Sequence, residues 1–67
     1  MSTSTMLDAV IKKMRLKNDA ALCRELEISP PVLSKIRSNV IPLGPVQLLR
    51  LHEYTGIPTR ELKAMAA

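Results

Sequence analysis

Aromatic side chains are nearly missing from this sequence. Its 67 residues include no tryptophan, no phenylalanine and one tyrosine. A folded core must therefore consist of aliphatic side chains, and hydrophobic residues form 46% of the chain. Ala, Leu, Lys, Arg, Glu and Met favour helices, and no stretch alternates apolar and polar residues as a half-buried strand does. The composition predicts an all-α fold in one small domain spanning residues 1–67.

Cysteine and histidine occur once each, as Cys23 and His52. One cysteine excludes an internal disulfide, and no paired Cys/His spacing predicts a zinc site. There is no glycine-rich phosphate loop, and the six acidic residues are scattered. We expect Cys23 to be a small buried hydrophobic group and His52 to lie at the edge of the core. The sequence therefore predicts neither an enzyme nor a catalytic, cofactor or metal site.

Long apolar runs are also absent. No run reaches the roughly 18 residues of a transmembrane helix, and the first residues lack the basic start and apolar centre of a signal peptide. We therefore expect a cytoplasmic protein with no membrane partner.

Basic residues outnumber acidic ones, ten to six, and the excess lies in one range. Residues 12–37 hold seven basic and three acidic residues, so that 7 − 3 = +4, which equals the formal net charge of the chain. A concentrated basic region is typical of nucleic-acid binding. The alternative is an ordinary solvated surface.

The apolar spacing predicts five short helices separated by polar and Pro/Gly-containing segments. Residues 1–4 should be disordered, with Thr5 as the cap of the first helix. The second helix should follow Asn18, a good N-cap, and the third should begin with Ser29 as cap and Pro30 in the first helical position. The expected helices cover residues 6–14, 19–26, 30–37, 45–55 and 59–65.

Residues 18–38 carry the most specific pattern, two helices joined by a tight turn. Its elements are Leu22-Cys23, then Glu27-Ile28-Ser29, then Leu33-Ser34 and Ile36. This pattern resembles the helix-turn-helix of the phage-repressor-like family, the lambda repressor and Cro (XRE-like) class. The resemblance implies a five-helix lambda-repressor-like DNA-binding domain. The family usually has Gly where this chain has Glu27, because the turn needs a positive φ there.

The resemblance also implies that the third helix enters the major groove, where base pairs are distinguishable. Leu33 and Ile36 should face the core, so the opposite face should read bases, with Lys35 as the best single contact. A phosphate contact or a plain solvated charge is the alternative for Lys35. The base-reading candidates are Pro30, Pro31, Ser34, Lys35 and Ser38. The phosphate-contact candidates are Lys17, Asn18, Ser29, Arg37 and Asn39.

We therefore expect a sequence-specific transcriptional regulator, most simply a repressor that occupies its operator on double-stranded DNA as a homodimer. An antitoxin or other protein-interaction module on the same fold, with a protein partner, is the alternative. The helices at 45–55 and 59–65 have surplus apolar groups that could pair two copies. The candidates are Val46, Leu49, Tyr54 and Met65. Alternatively, these groups merely complete the core around residues 40–43.

Overall fold

Helices account for all the regular structure of the part of the chain that can be described. A computed structural model describes residues 2–66. Within them there are five helices and no strand, which confirms the all-α prediction. The helices are α1 (Thr3–Lys13), α2 (Asp19–Leu26), α3 (Pro30–Arg37), α4 (Pro45–Thr55) and α5 (Thr59–Ala66).

The first helix begins earlier than the sequence predicts. Ser2, and not Thr5, is its N-cap: the Ser2 hydroxyl accepts a hydrogen bond from the Thr5 N–H at 3.2 Å. The prediction of a Thr5 cap is therefore wrong, because a hydroxyl three residues further back satisfies the first turn. Thr3 and Ser4, which the sequence predicts to be disordered, form the start of α1. Met1, which the disorder prediction also included, lies outside the described residues, as does Ala67.

The limits of α2, α3 and α4 follow local chemistry as predicted, while α1 ends one residue earlier and α5 one residue later than expected. The Asn18 side chain caps α2 through the Ala21 N–H at 3.0 Å. The helix α4 opens with Pro45 and ends at Gly56, whose φ of 77° is left-handed. Glycine adopts this conformation without the strain that a Cβ would add.

The core is aliphatic and draws on every helix. The helix α1 packs against α3 and α5, while α2 packs against α3 and α4, and α4 also packs against α5. The fully buried residues are Met6, Leu7, Val10, Leu22, Cys23, Leu26, Leu33, Ile36, Leu51 and Leu62.

The segment between α3 and α4 divides between core and solvent. Ile41 and Leu43 pack against the core, as expected for at least one of its apolar residues. Val40 instead leaves 68% of its surface exposed. Among residues 2–66, no helix is long and apolar enough to cross a membrane.

Candidate nucleic-acid interface

The turn between α2 and α3 has a left-handed residue at its first position. Glu27 has φ 56° and ψ 42°, which confirms the predicted positive φ. The Ile28 N–H then donates to the Cys23 carbonyl at 3.1 Å, closing the end of α2. A non-glycine residue costs about 1–2 kcal/mol in this conformation. The turn is therefore maintained by the packing around it and not by Glu27 itself.

A side chain of α4 secures the same turn, a contact that the sequence did not reveal. The Nη1 of Arg50 donates to the carbonyls of Leu26 at 2.9 Å and Glu27 at 3.0 Å. The last carbonyls of a helix lack intrahelical partners, so these bonds satisfy groups that would otherwise need water. Arg50 thus fixes the C-terminal end of α2 just before α3 begins.

The start of α3 combines proline stiffness with few free backbone donors. Ser29 is the N-cap and Pro30 follows it, as predicted, but the Ser29 hydroxyl makes no capping hydrogen bond. Pro30 and Pro31 lack an N–H, and the Leu33 N–H already donates to the Ser29 carbonyl at 3.1 Å. The N-terminus of α3 is consequently a poorer anion site than a helix start with all its N–H groups.

The two faces of α3 are segregated as predicted. Leu33 and Ile36 are fully buried. On the other side, residues spaced three and four apart share one exposed surface, and Pro30 is exposed beside them. We call these five residues the α3 outer face: Pro30, Pro31, Ser34, Lys35 and Ser38.

Within the α3 outer face, the polar groups differ in what they can still do. Ser38 is the C-cap, and its hydroxyl donates to the Ser34 carbonyl at 3.0 Å, so it can accept but has no second hydrogen to donate. Ser34 and Lys35 are exposed. Lys35 is therefore the cation on this face that can reach an acceptor outside the chain.

Four of the five phosphate-contact candidates are exposed around the two helix starts and the end of α3. Lys17 and Asn18 precede α2, Ser29 precedes α3, and Asn39 follows it with a left-handed φ of 62°. The Asn18 side-chain oxygen is used by the cap. Its amide nitrogen carries the donors that a phosphate oxygen needs.

Arg37, the fifth candidate, is directed into the protein. Its Nε and Nη2 donate to the two carboxylate oxygens of Asp19, both at 2.9 Å. Its Nη1 donates to the Ser4 carbonyl at 3.1 Å and to the Ser4 hydroxyl at 2.8 Å. A further Asp8 carboxylate oxygen lies 2.8 Å from Nη2. These contacts match the five N–H donors of a guanidinium, which leaves none directed at a ligand.

The Arg37 cluster therefore joins three helices. Ser4 and Asp8 belong to α1, Asp19 begins α2, and Arg37 ends α3. Hydrogen bonding to Asp19 raises the pKa of Arg37, and the Asp8 carboxylate adds to this, while partial burial acts in the opposite direction. The contacts support a structural role for Arg37, and its phosphate contact stays a prediction.

Sequence spacing contained a signal for this contact that the prediction missed. Leu33, Ile36 and Arg37 recur at three- and four-residue steps, so all three lie on the inward side of α3. The Arg37 side chain is accordingly only 19% exposed.

The ion pairs of Arg37 also reduce the free positive charge of residues 12–37. Arg37 is balanced by Asp8 and Asp19, so it does not contribute a free positive charge to the surface. The other basic residues of the range are all exposed: Lys12, Lys13, Arg15, Lys17, Arg24 and Lys35.

The acidic residues at the end of α2 lie beside α4. Glu25 and Glu27 line a shallow depression together with Arg50, Glu53 and Tyr54 of α4. Glu27 and Arg50 approach each other only loosely, at 4.0 Å.

Cys23 and His52 have structural positions, as expected. Cys23 is buried, and desolvation together with the nearby Asp19 charge raises the pKa of its thiol. The Nδ1 of His52 lies 2.7 Å from the Ile57 carbonyl. Because a carbonyl only accepts, Nδ1 carries the hydrogen. Residues 2–66 contain no group of three or more His, Cys, Asp and Glu that could hold a metal.

The four pairing candidates separate into two kinds. Val46 and Leu49 of α4 leave 56% and 53% of their surface exposed. Tyr54 and Met65 instead pack against the core of their own chain. Leu49 lies outward, whereas Leu51 occupies the inner side of α4 and is fully buried.

No protein-family model, curated protein or solved structure matches the chain. Membership of the phage-repressor-like family therefore stays a prediction from the residues of the helix-turn-helix pattern. What the protein does must be argued from its own surfaces.

Proposed function

We propose that the chain is a sequence-specific DNA-binding protein of the lambda-repressor-like fold, with α2 and α3 as its helix-turn-helix. In this proposal it regulates transcription, most simply as a repressor that occupies an operator. The observation that carries the proposal is the α3 outer face. It is exposed along the helix, contains a free lysine and lies opposite a fully buried stripe.

This face suits the major groove for two reasons. A single helix fits there with side chains directed at base edges. Lys35 can donate to guanine O6 or N7, Ser34 can bond several bases, and Pro30 and Pro31 offer apolar surface for a thymine methyl group. The prolines also restrict the backbone at the helix start, so less conformational freedom is lost on binding.

The exposed groups beside α3 would position the domain without reading sequence. Lys17, Asn18, Ser29 and Asn39 supply donors that suit phosphate oxygens. The remaining exposed cations of residues 12–24 would add long-range attraction to the DNA. Arg37 takes a different role in this proposal: it fixes the angle of α3 against α1 and α2.

Two copies are needed because one such helix contacts only a few base pairs. A homodimer would place two α3 helices in successive turns of the major groove, about 34 Å apart. The helix α4 packs against α2 and α5 of its own chain, and it leaves Val46 and Leu49 exposed. These two apolar side chains support such pairing, because a second copy would remove them from water.

A protein-interaction module, such as an antitoxin, is the second candidate. The same two exposed side chains favour it, because apolar groups on an outer surface often mark a protein contact. This alternative and DNA binding are separable, since only DNA binding requires the α3 outer face.

Selection from a random duplex library tests the proposal. The protein should enrich a short motif that occurs twice with two-fold symmetry, and a mobility shift should show that the motif competes against excess random duplex. The matched control is Lys35→Glu, which reverses the charge at an exposed site and should abolish enrichment without affecting folding. Failure of the native protein to shift any duplex at low salt would reject DNA binding.

A further inference from the structure

The outer side of α4 carries an exposed combination of apolar and charged groups. Val46, Leu49, Arg50 and Glu53 follow the spacing i, i+3, i+4 and i+7, so they share one face of the helix. Leu51, on the opposite side of α4, is fully buried. We call these four residues the α4 outer face.

We propose that the α4 outer face binds the same face of a second copy of this chain. The contact is two-fold symmetric and pairs Arg50 of each copy with Glu53 of the other. This assignment deepens the homodimer of the proposed function and rests on it for its biological use. It replaces Tyr54 and Met65, which pack against their own core, with a charged pair.

The charges of the α4 outer face suit a second copy of the chain as its partner. A two-fold contact brings the same patch of both copies together, so the charged groups of a patch can pair with each other only if the patch contains both signs. Arg50 and Glu53 supply one charge of each sign on α4, one helical turn apart, and Glu27 at the end of α2 approaches Arg50 only loosely, at 4.0 Å. A two-fold axis passing between them brings each Arg50 level with Glu53 of the other copy. The apolar Val46 and Leu49 then lie beside this pair.

Arg50 is already held in a suitable position. Its Nη1 is bonded to the Leu26 and Glu27 carbonyls, which fixes the side chain across the surface between α2 and α4. A fixed side chain loses less conformational entropy when a partner binds. The Glu53 carboxylate is exposed on the rim of the same depression.

The size of the face sets the strength of the dimer. The helix has 11 residues, so it is about 16 Å long. Contacts that bury less than about 1,200 Å² are typically weak and transient. We therefore expect a dissociation constant on the order of 10–100 μM for the free chain, and a tighter dimer when both copies are held on DNA.

Sedimentation equilibrium of the DNA-free protein tests the interface directly. The native chain should show reversible dimerisation, and Glu53→Arg should weaken it at least tenfold. The matched control is Glu61→Arg, the same charge reversal at an exposed site on α5, which should leave the dimer unchanged. Leu49→Asp, at a site that is already exposed, should also weaken the dimer at least tenfold.

Mixing two charge-reversed variants gives the most specific result. Arg50→Glu and Glu53→Arg each place like charges together and should be monomeric alone. Combined in equal amounts, they should form a one-to-one heterodimer. Since Arg50→Glu also removes the contact with the end of α2, its helix content is measured first; if it does not fold, Glu53→Arg, Leu49→Asp and Glu61→Arg decide the question.

Three results would overturn the interface. These are a native chain that stays monomeric at millimolar concentration, equal effects of Glu53→Arg and Glu61→Arg, and a mixture of two folded variants that stays monomeric. None of them bears on the α3 outer face. A protein that still enriches a DNA motif while failing these tests pairs through another surface, whereas a dimer without DNA binding rejects the proposed function alone.

Discussion

Arg37 shows how one side chain can carry the charge of a DNA contact and yet serve the fold. Its donors connect to Ser4, Asp8 and Asp19, on two other helices. Hydrogen bonds that involve charged groups contribute about 1.5–3 kcal/mol each when buried, and less where the carboxylates are partly exposed, as they are here.

We expect Arg37→Met to lower the free energy of unfolding by about 2 kcal/mol, since three helices lose a common anchor. In a domain of this size, this corresponds to a melting temperature lower by roughly 10 °C. Arg37→Lys should restore only part of the loss, because an ammonium cannot form the paired contact with Asp19. Thermal and urea unfolding followed by circular dichroism measure both variants.

The control for Arg37 is Lys35→Met on the same helix. It removes the same charge from an exposed position and should change stability by no more than about 0.5 kcal/mol. If Arg37→Met has the same melting temperature as the native protein and only its DNA binding is weaker, Arg37 is a phosphate contact.

Glu27 has a left-handed backbone conformation, which is unfavourable for a residue that has a Cβ. We expect Glu27→Gly to raise the free energy of unfolding by about 0.5–1 kcal/mol, because relief of the left-handed strain exceeds the entropy cost of glycine. Its ion pair with Arg50 is loose and exposed, so little is lost with it. Urea unfolding gives the difference directly.

Glu25→Gly is the matched control, two residues earlier and inside α2. There, glycine should lower stability by about 1 kcal/mol, since no strain is relieved. If Glu27→Gly lowered the free energy of unfolding as Glu25→Gly does, the φ of 56° at Glu27 would not be maintained in solution.

At the scale of the helices, local chemistry predicted most of the boundaries. Asn18, Pro30 and Gly56 mark where α2 and α3 begin and α4 ends, because each acts through bonds within a few residues. The start of α1 was not predictable in this way. Residues 2–5 all carry hydroxyls that can cap a helix, and the position of Ser4 is tied to Arg37, 33 residues away.

The parts of the site that depend on local sequence were predicted, and the parts that depend on packing between distant segments were missed. The α3 outer face follows from periodicity alone, so every member was found exposed as expected. Arg50 could not be placed, because its partners at the end of α2 depend on how α4 packs. The sequence left open whether Leu49 pairs two copies or completes the core, because one helix with many leucines does not reveal which of them the core has room to bury.

Substitutions in α2 and α3 can distinguish side chains that read the base sequence from those that only position the protein on DNA. Lys35→Ala should weaken binding to the selected motif by about 1–3 kcal/mol and binding to random duplex much less, if Lys35 contacts a base edge. Arg24→Ala, which removes an exposed cation from α2, should weaken both alike because long-range attraction to the DNA carries no sequence information. Competition titrations with both duplexes measure the ratio. Equal losses for Lys35→Ala would make Lys35 a phosphate contact.

For the molecule as a whole, three acidic residues at the end of α2 and on α4 share one depression, and none of the exposed cations of residues 12–35 lines it. Six exposed cations come from residues 12–35, and Arg60 and Lys63 of α5 are exposed as well. Glu25 and Glu27 lie with Glu53 in the depression between α2 and α4. The ion pairs of Arg37 keep that residue out of the surface field. DNA attraction in the proposed function therefore depends on six side chains, and not on the seven basic residues that the sequence shows between residues 12 and 37.

In the proposed function, this distribution makes DNA affinity strongly dependent on salt. If each copy neutralises three phosphates, a dimer neutralises six, and each releases about 0.9 counterion. The logarithm of the association constant should then fall against the logarithm of salt concentration with a slope of about −5. Fluorescence anisotropy with a labelled duplex, from low to physiological salt, measures the slope. Lys17→Ala should make it shallower by about 1.8, one contact per copy, whereas Lys63→Ala on α5 should leave it unchanged. A native slope near zero would remove nucleic acid as the partner, since no basic surface binds DNA without displacing its counterions.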